Sequence, residues 1–150
     1  MFDWSKYNQL AGRLAHYGST SKDEASLRTA TGRAYYAAFE ILKDDLMEGN
    51  ERTRFLSFCA QREYKTYTGQ IHEAVVEYCK QSVSLTRKYA MAEKLENLRK
   101  VRNCADYKRQ HYCDWNDEAS KSIKDASVII EWVKMGKPDS LDAKMPSGYK

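Results

Sequence analysis

The sequence contains no long apolar run. Nowhere in its 150 residues does it approach the ~20 consecutive apolar residues that cross a bilayer, and its first residues, MFDWSKYNQL, lack the basic and apolar blocks of a secretory signal. Hydrophobic residues still make up 42% of the chain and charged residues 31%, a balance that fills a core and excludes intrinsic disorder. We therefore expect a folded, cytoplasmic protein without a membrane segment.

Turn-forming residues are also scarce, with two prolines and seven glycines. A β-sandwich or barrel needs a turn about every ten residues, so this scarcity excludes both and predicts an all-α fold. We expect an up-and-down bundle of four to five helices with a short extra helix. The length suits one domain, with residues 1–136 forming the bundle and residues 137–150 a weakly ordered C-terminal tail.

Cysteine is sparse, and its spacing indicates no cofactor. The four cysteines include no CxxC pair, and without a secretory signal we expect them to be reduced thiols. Cys104, His111 and Cys113 lie close together in the chain, but their spacing matches no familiar zinc-ligand pattern. We therefore expect neither a metal nor another cofactor.

Helix signals divide the chain into segments. Asp3 is placed to cap a first helix that Gly18 ends, and Ser21 and Glu24 have the spacing of a capping box. The second helix, to about Met47, carries two adjacent apolar stripes and is expected to be central. The other predicted helices are a short one within residues 51–69, and helices over 70–81, 86–108 and 116–135, the last capped by Asn116.

Positive charge is concentrated in one segment. The net charge is only +4, but between Thr86 and His111 eight basic residues face three acidic ones, a balance of 8 − 3 = +5. Such a cluster would attract a polyanion such as RNA, or it is a solvated helix face with pairs such as Glu96 with Lys100. The basic residues are Arg87, Lys88, Lys94, Arg99, Lys100, Arg102, Lys108 and Arg109.

An arginine interrupts the apolar stripe of the same helix. Leu95, Leu98 and Ala105 mark the inward face, and the position expected to be apolar between the last two is Arg102. A guanidinium cannot be buried unpaired without a cost of several kcal/mol, so Arg102 either pairs with Asp106, four residues on, or lines a cleft. Asn103 and Tyr107 are expected to form a second polar pair on the adjoining face.

Arg33 repeats this arrangement on the second helix. It borders the apolar arc, with Tyr36 and Glu40 one and two turns further on. Two helices would thus each bring an arginine to a common polar patch near the interior. The patch is either a polar network that fixes helix register, with Glu40 or Asp106 neutralising the arginines, or a functional cleft.

Two strings resemble the signature segments of the HEPN superfamily: RAYYAAF at residues 33–39 and RNCADY at residues 102–107. The resemblance implies a helical bundle, often dimeric, of the kind found in prokaryotic toxin–antitoxin and phage-defence systems. Many members are metal-independent ribonucleases. Their motif is an arginine, a polar residue and, after four to six intervening positions, a histidine.

Arg102 and Asn103 match the first two places of that motif, but the histidine window holds Tyr107, Lys108 and Arg109. His111 follows with eight residues intervening, and it reaches Arg102 only if the helix breaks after Tyr107. RNA cleavage by internal attack needs a base near neutral pH and a cation for the pentacovalent phosphate.

The resemblance therefore implies that Arg102 is a phosphate clamp and Asn103 a positioning group. Asp106 or His111 would orient the reacting groups or transfer a proton. Of the nearby groups, His111 has the ordinary pKa that suits proton transfer at neutral pH. Alternatively, His111 is a surface residue. The remaining two histidines, His16 and His72, are expected on helix surfaces. The candidate substrate-binding residues are Arg33, Tyr36, Tyr107, Arg99 and Arg109.

The resemblance also implies partners. These are RNA, a second copy of the chain, and a nucleotidyltransferase-type antitoxin or a defence complex; in some HEPN pairs the antitoxin modifies a tyrosine, and Tyr107 has a comparable place. The competing interpretation is a non-catalytic HEPN bundle in which Arg33, Arg102 and Asp106 hold the core or bind a nucleotide or RNA end.

Overall fold

The computed structural model describes residues 2–81, 87–110 and 113–135. Within these ranges the chain forms six helices and no strand, which confirms the all-α prediction. The predicted C-terminal tail lies outside the described residues. The helices are α1 (Trp4–Ser21), α2 (Glu24–Leu46), α3 (Gly49–Gln61), α4 (Gln70–Lys80), α5 (Arg87–Tyr107) and α6 (Trp115–Lys134).

Helix α2 is central, as its two apolar stripes predict. It packs against each of the other five helices, whereas α1 and α5 do not contact each other. Its side chains Tyr35, Phe39 and Leu42 are fully or almost fully buried. This packing places the face of α2 that carries Tyr36 against α5.

Aspartates cap α1, α2 and α6, and two predicted caps are wrong. Asp3 caps α1 as expected, accepting a hydrogen bond of 3.0 Å from the backbone N–H of Ser5. Asp23, rather than Ser21, caps α2, because α1 continues to Ser21. Asp114, rather than Asn116, caps α6 by accepting from the backbone N–H of Asn116. In each case the aspartate carboxylate satisfies an N–H that has no partner within the helix.

Two glycines have roles that the sequence pattern does not reveal. Gly18 lies inside α1, and an added Cβ would come within 2.8 Å of Leu27, so only glycine permits this approach of α1 to α2. Gly49 has a φ of +52°, which disfavours other residues, and α3 begins there, three residues after α2 ends. Helix α3 is longer than the short helix predicted within residues 51–69, and it begins two residues before that segment.

No helix of the described residues is both long and apolar enough to cross a membrane.

Candidate functional site

The strings RAYYAAF and RNCADY meet at the contact between α2 and α5. Nη2 of Arg102, on α5, donates a hydrogen bond of 2.6 Å to the hydroxyl of Tyr36, on α2. The Arg102 side chain is 17% exposed, so it lies in the helix interface with one edge open to solvent. Arg102, the arginine in the apolar stripe of α5, therefore has a hydrogen-bond partner on a different helix.

Arg102 has two further polar partners on α5. Its Nη1 donates to Oδ1 of Asn103 at 3.2 Å, and its Nε lies 2.7 Å from Oδ2 of Asp106. The Nε–H is not aligned for a hydrogen bond, so the contact with Asp106 is an ion pair held by charge. The predicted pair of Arg102 with Asp106 is confirmed, whereas the described partner of Asn103 is Arg102 and not Tyr107.

Aromatic rings surround the same guanidinium. Its central carbon lies 5.1 Å from the ring centroid of Tyr36 and 5.6 Å from that of Tyr107. Cation–π attraction at such distances favours a fixed guanidinium position. Asp106 and Asn103 face solvent, as does Tyr107, which is 73% exposed. The mostly buried side chain of Arg102 thus lies beside three solvent-exposed neighbours.

Arg33 lies in a different contact. Its guanidinium stacks over the ring of Tyr7 on α1, 4.9 Å from the centroid. Glu40, expected to neutralise an arginine, pairs with Lys43 instead. No contact among the described residues joins Arg33 to Arg102, so a common patch of both arginines stays a prediction.

Some basic residues of the segment 86–111 pair with carboxylates, and others are exposed to solvent. Lys88 is buried and lies 2.8 Å from Glu51, and Lys94 lies 2.9 Å from Asp125. These two cations hold helices together and contribute little to an external field. Lys100, Lys108 and Arg109 are exposed near the C-terminal half of α5, and Arg99 is half-buried. The field available to an anion is therefore concentrated around the Arg102 end of the helix.

Arg28 holds the end of α5, a role that the sequence analysis missed. Its Nη1 donates to the backbone carbonyls of Ala105 at 3.2 Å and Lys108 at 2.6 Å, and its Nη2 to that of Arg109 at 3.3 Å. Its guanidinium also lies over the ring of Trp115. The last carbonyls of a helix have no partner within it, so a cation there stabilises the helix end.

Helix α5 ends at Tyr107, which is the break required for His111 to fold back. His111 itself lies outside the described residues. Arg109, a candidate substrate-binding residue, is exposed two residues beyond the helix, and its backbone carbonyl is held by Arg28.

His72 is the second functional candidate that the sequence analysis missed. The prediction that it lies on a helix surface is wrong: it is half-buried, its ring is stacked 3.9 Å from Phe39, and its Nδ1 is hydrogen-bonded to the Tyr35 hydroxyl. Its spacing to the buried Val75 and Val76 could have indicated this face. His16, by contrast, is exposed as predicted.

The electrostatic environment of His72 keeps its imidazole uncharged. Burial is the main cause that lowers the pKa of His72 to about 4. The positive charges of Arg99 and Arg102 lower this pKa further, and so does Lys43. Arg99 and Arg102 therefore both influence the imidazole of His72 electrostatically. Since His72 belongs to α4, the candidate site extends from the contact between α2 and α5 to α4.

The arrangement offers cations, hydroxyls and a neutral imidazole, which are groups suited to binding a phosphate. Among the described residues no group of three or more histidine, cysteine or acidic side chains is arranged to hold a metal ion. Comparisons with protein-family models, curated proteins and solved structures gave no match to this chain.

Proposed function

We propose that this protein is a cytoplasmic, HEPN-like, RNA-directed effector whose site between α2 and α5 binds a phosphodiester. The observation that carries the proposal is the position of Arg102. Its guanidinium is held by Tyr36, Asn103 and Asp106, and its side chain is 17% exposed beside the exposed Asn103 and Asp106. A planar cation fixed in this way is suited to two oxygens of one phosphate.

The proposed reaction is metal-independent cleavage by the 2′-hydroxyl of the RNA itself. A base takes the proton of the 2′-hydroxyl, the oxygen attacks the adjacent phosphorus, and the 5′-oxygen leaves with a proton from a general acid. Arg102 would stabilise the added negative charge of the pentacovalent phosphate, and Asn103 would orient it. The products are a 2′,3′-cyclic phosphate and a 5′-hydroxyl.

A non-catalytic binding subunit is the second candidate, and the Asp106 carboxylate favours it. Its Oδ2 lies 2.7 Å from Arg102, so a neighbouring anion partly neutralises the proposed clamp. A compensated arginine binds a phosphate more weakly and holds two helices together instead. In this case the surface would bind RNA, a nucleotide or a defence partner without cleaving it.

The proposal includes assembly. Tyr107 projects from the end of α5 beside the site, and its exposed ring is suited to contact with a second copy of the chain in a homodimer. Its hydroxyl would also be accessible to a nucleotidyltransferase-type antitoxin.

The test uses the purified full chain, single-stranded RNA and EDTA. We expect RNA to be bound and cleaved in EDTA, with cyclic-phosphate ends, and Arg102→Ala to abolish both. Arg13→Ala is the matched control, because Arg13 is exposed on α1, which does not contact α5. Binding without cleavage would support the non-catalytic subunit, and unchanged RNA binding by Arg102→Ala would overturn the proposal.

The pH–rate profile would identify the base. A rate that rises through about pH 6.5 and loses this dependence in His111→Ala would assign the base to His111. Activity that survives His111→Ala but not Arg102→Ala would place the base elsewhere.

A further inference from the structure

The hydroxyl of Tyr35 determines the proton position on His72. Tyr35 is 1% exposed, and burial raises its pKa, so its hydroxyl stays protonated. Among the described residues its one hydrogen-bond partner is Nδ1 of His72. A buried O–H without an acceptor is costly, so this hydroxyl donates its proton to the hydrogen bond and Nδ1 accepts it.

The consequence is a defined tautomer. A neutral imidazole whose Nδ1 accepts a hydrogen bond carries its one proton on Nε2. The ring is also held in place by stacking on Phe39, with 26° between the ring planes. His72 is therefore a fixed, uncharged donor whose Nε2 has no hydrogen-bond partner among the described residues.

The charged groups around His72 favour an anion. Lys43 acts on the imidazole from α2, and Arg99 and Arg102 act on it from α5. Two of these cations have acidic partners, since Lys43 pairs with Glu40 and Arg102 with Asp106. Arg99 has neither an ion pair nor a hydrogen bond within the described residues.

The other titratable groups at this point are phenols. Tyr35 and Tyr36 of α2 both lie beside the imidazole, with ring centroids 5.7 Å and 6.4 Å from that of His72. Burial raises the pKa of Tyr35, so this phenol adds no negative charge. The junction of α2, α4 and α5 is thus positive and carries one uncompensated guanidinium.

We infer that His72 is a ligand-binding residue, which donates a hydrogen bond from Nε2 to a phosphate oxygen beside Arg99 and Arg102. Arg99 supplies the positive charge that attracts the phosphate. His72 supplies a hydrogen-bond donor of fixed direction and adds no further positive charge. The inference rests on the proposed function only in taking RNA as the source of the phosphate. Burial and the neighbouring cations lower the pKa of His72 to about 4, so we expect its contribution to binding to change little between pH 5 and 8.

The first experiment measures the tautomer in the free protein by long-range ¹H–¹⁵N correlation of the imidazole. We expect an unprotonated Nδ1 and a protonated Nε2 from pH 5 to 8. Titration with single-stranded RNA, or with inorganic phosphate, should then shift the Nε2 proton. An Nδ1–H tautomer, a charged ring in that range, or an Nε2 signal that neither ligand moves would overturn the inference.

The second experiment uses variants of His72. His72→Gln keeps a hydrogen-bond acceptor for Tyr35 and an N–H donor for the ligand. His72→Phe keeps the stacked ring but removes the acceptor and the donor. We expect His72→Phe to lower RNA affinity about tenfold and His72→Gln to restore most of it. His16→Gln is the control, because His16 is exposed on α1. Circular dichroism checks that each variant is folded. If His72→Phe does not fold, two other results test the inference: a reduced RNA affinity of folded Arg99→Ala, and the shift of the Nε2 proton when the ligand is added.

The outcomes separate this inference from the proposed function. Loss of RNA binding in Arg102→Ala with unchanged binding in His72→Phe would refute the role of His72 and leave the proposed function intact. Inorganic phosphate that binds with the expected His72 dependence, in a protein that binds no RNA, would assign the site to free phosphate. That result would overturn the proposed function and leave the role of His72 standing.

Discussion

Arg102 and Tyr36 lie 66 residues apart in the chain and are joined by a hydrogen bond of 2.6 Å between Nη2 and the phenol oxygen. Arg102 belongs to the string RNCADY and Tyr36 to the string RAYYAAF, so this bond links the two strings physically. It also helps to fix the direction of the guanidinium, together with the contacts of Nη1 with Asn103 and of Nε with Asp106. The site depends on contacts from two helices, and each can be tested separately.

Tyr36→Phe should weaken the site while the fold stays intact. The ring remains in place, but Nη2 of Arg102 loses its acceptor, so we expect the free energy of unfolding to fall by about 1 kcal/mol. RNA affinity should fall several-fold, because the guanidinium is less well oriented. Urea denaturation and RNA titration measure the two effects. Tyr67→Phe, at a ring that is 84% exposed, should change neither.

Arg102→Ala should cost only about 1 to 2 kcal/mol of stability. The side chain of Asp106 is 36% exposed, so water can solvate the carboxylate after its partner is removed. The RNA binding that we propose should disappear, and Arg102→Lys should not restore it, because an ammonium cannot make the same planar contacts. A destabilisation of more than about 4 kcal/mol would instead indicate a structural pair.

Arg28→Ala should loosen the end of α5. It removes three hydrogen bonds to backbone carbonyls and the contact with Trp115, a loss of roughly 2 kcal/mol in unfolding free energy. Hydrogen exchange should become faster over the last turn of α5 and remain unchanged in α1. Equal protection of that turn in the variant and the parent protein would contradict the capping role.

Stability should decrease as the pH falls from about 6.5 to 4, partly through His72. The folded-state pKa is about 4 and the ordinary value is 6.5, so between these values the unfolded chain binds the proton and the folded protein does not. Unfolding is thus favoured as the pH falls, by roughly 1 to 2 kcal/mol for a half-buried ring. Above pH 6.5 both states are neutral and the effect vanishes.

The measurement compares thermal unfolding of the parent protein and His72→Gln across this pH range. Carboxylates titrate equally in both, so the difference isolates the imidazole. Parallel curves would show that His72 has an ordinary pKa. His16→Gln should follow the parent curve, since that ring is exposed on α1.

The sequence predicts contacts within one helix well and contacts between helices poorly. The pair of Arg102 with Asp106 follows from a spacing of four residues, because helical geometry places such side chains together whatever else the chain does. The hydrogen bond from Tyr35 to His72 spans 37 residues, and that from Arg28 to Lys108 spans 80. No periodicity encodes these distances, since they depend on how the helices cross.

The amino-acid sequence by itself determined that this protein is all-α, that α2 is central and that Arg102 occupies an apolar stripe. These properties follow from local composition and the 3.6-residue period. Only the tertiary structure decided that Tyr36 orients Arg102, that Arg33 stacks on Tyr7 in a separate contact, and that Tyr35 is hydrogen-bonded to His72. The physical reason is that packing the whole core sets the rotation and crossing of each helix, and with them which polar side chains meet.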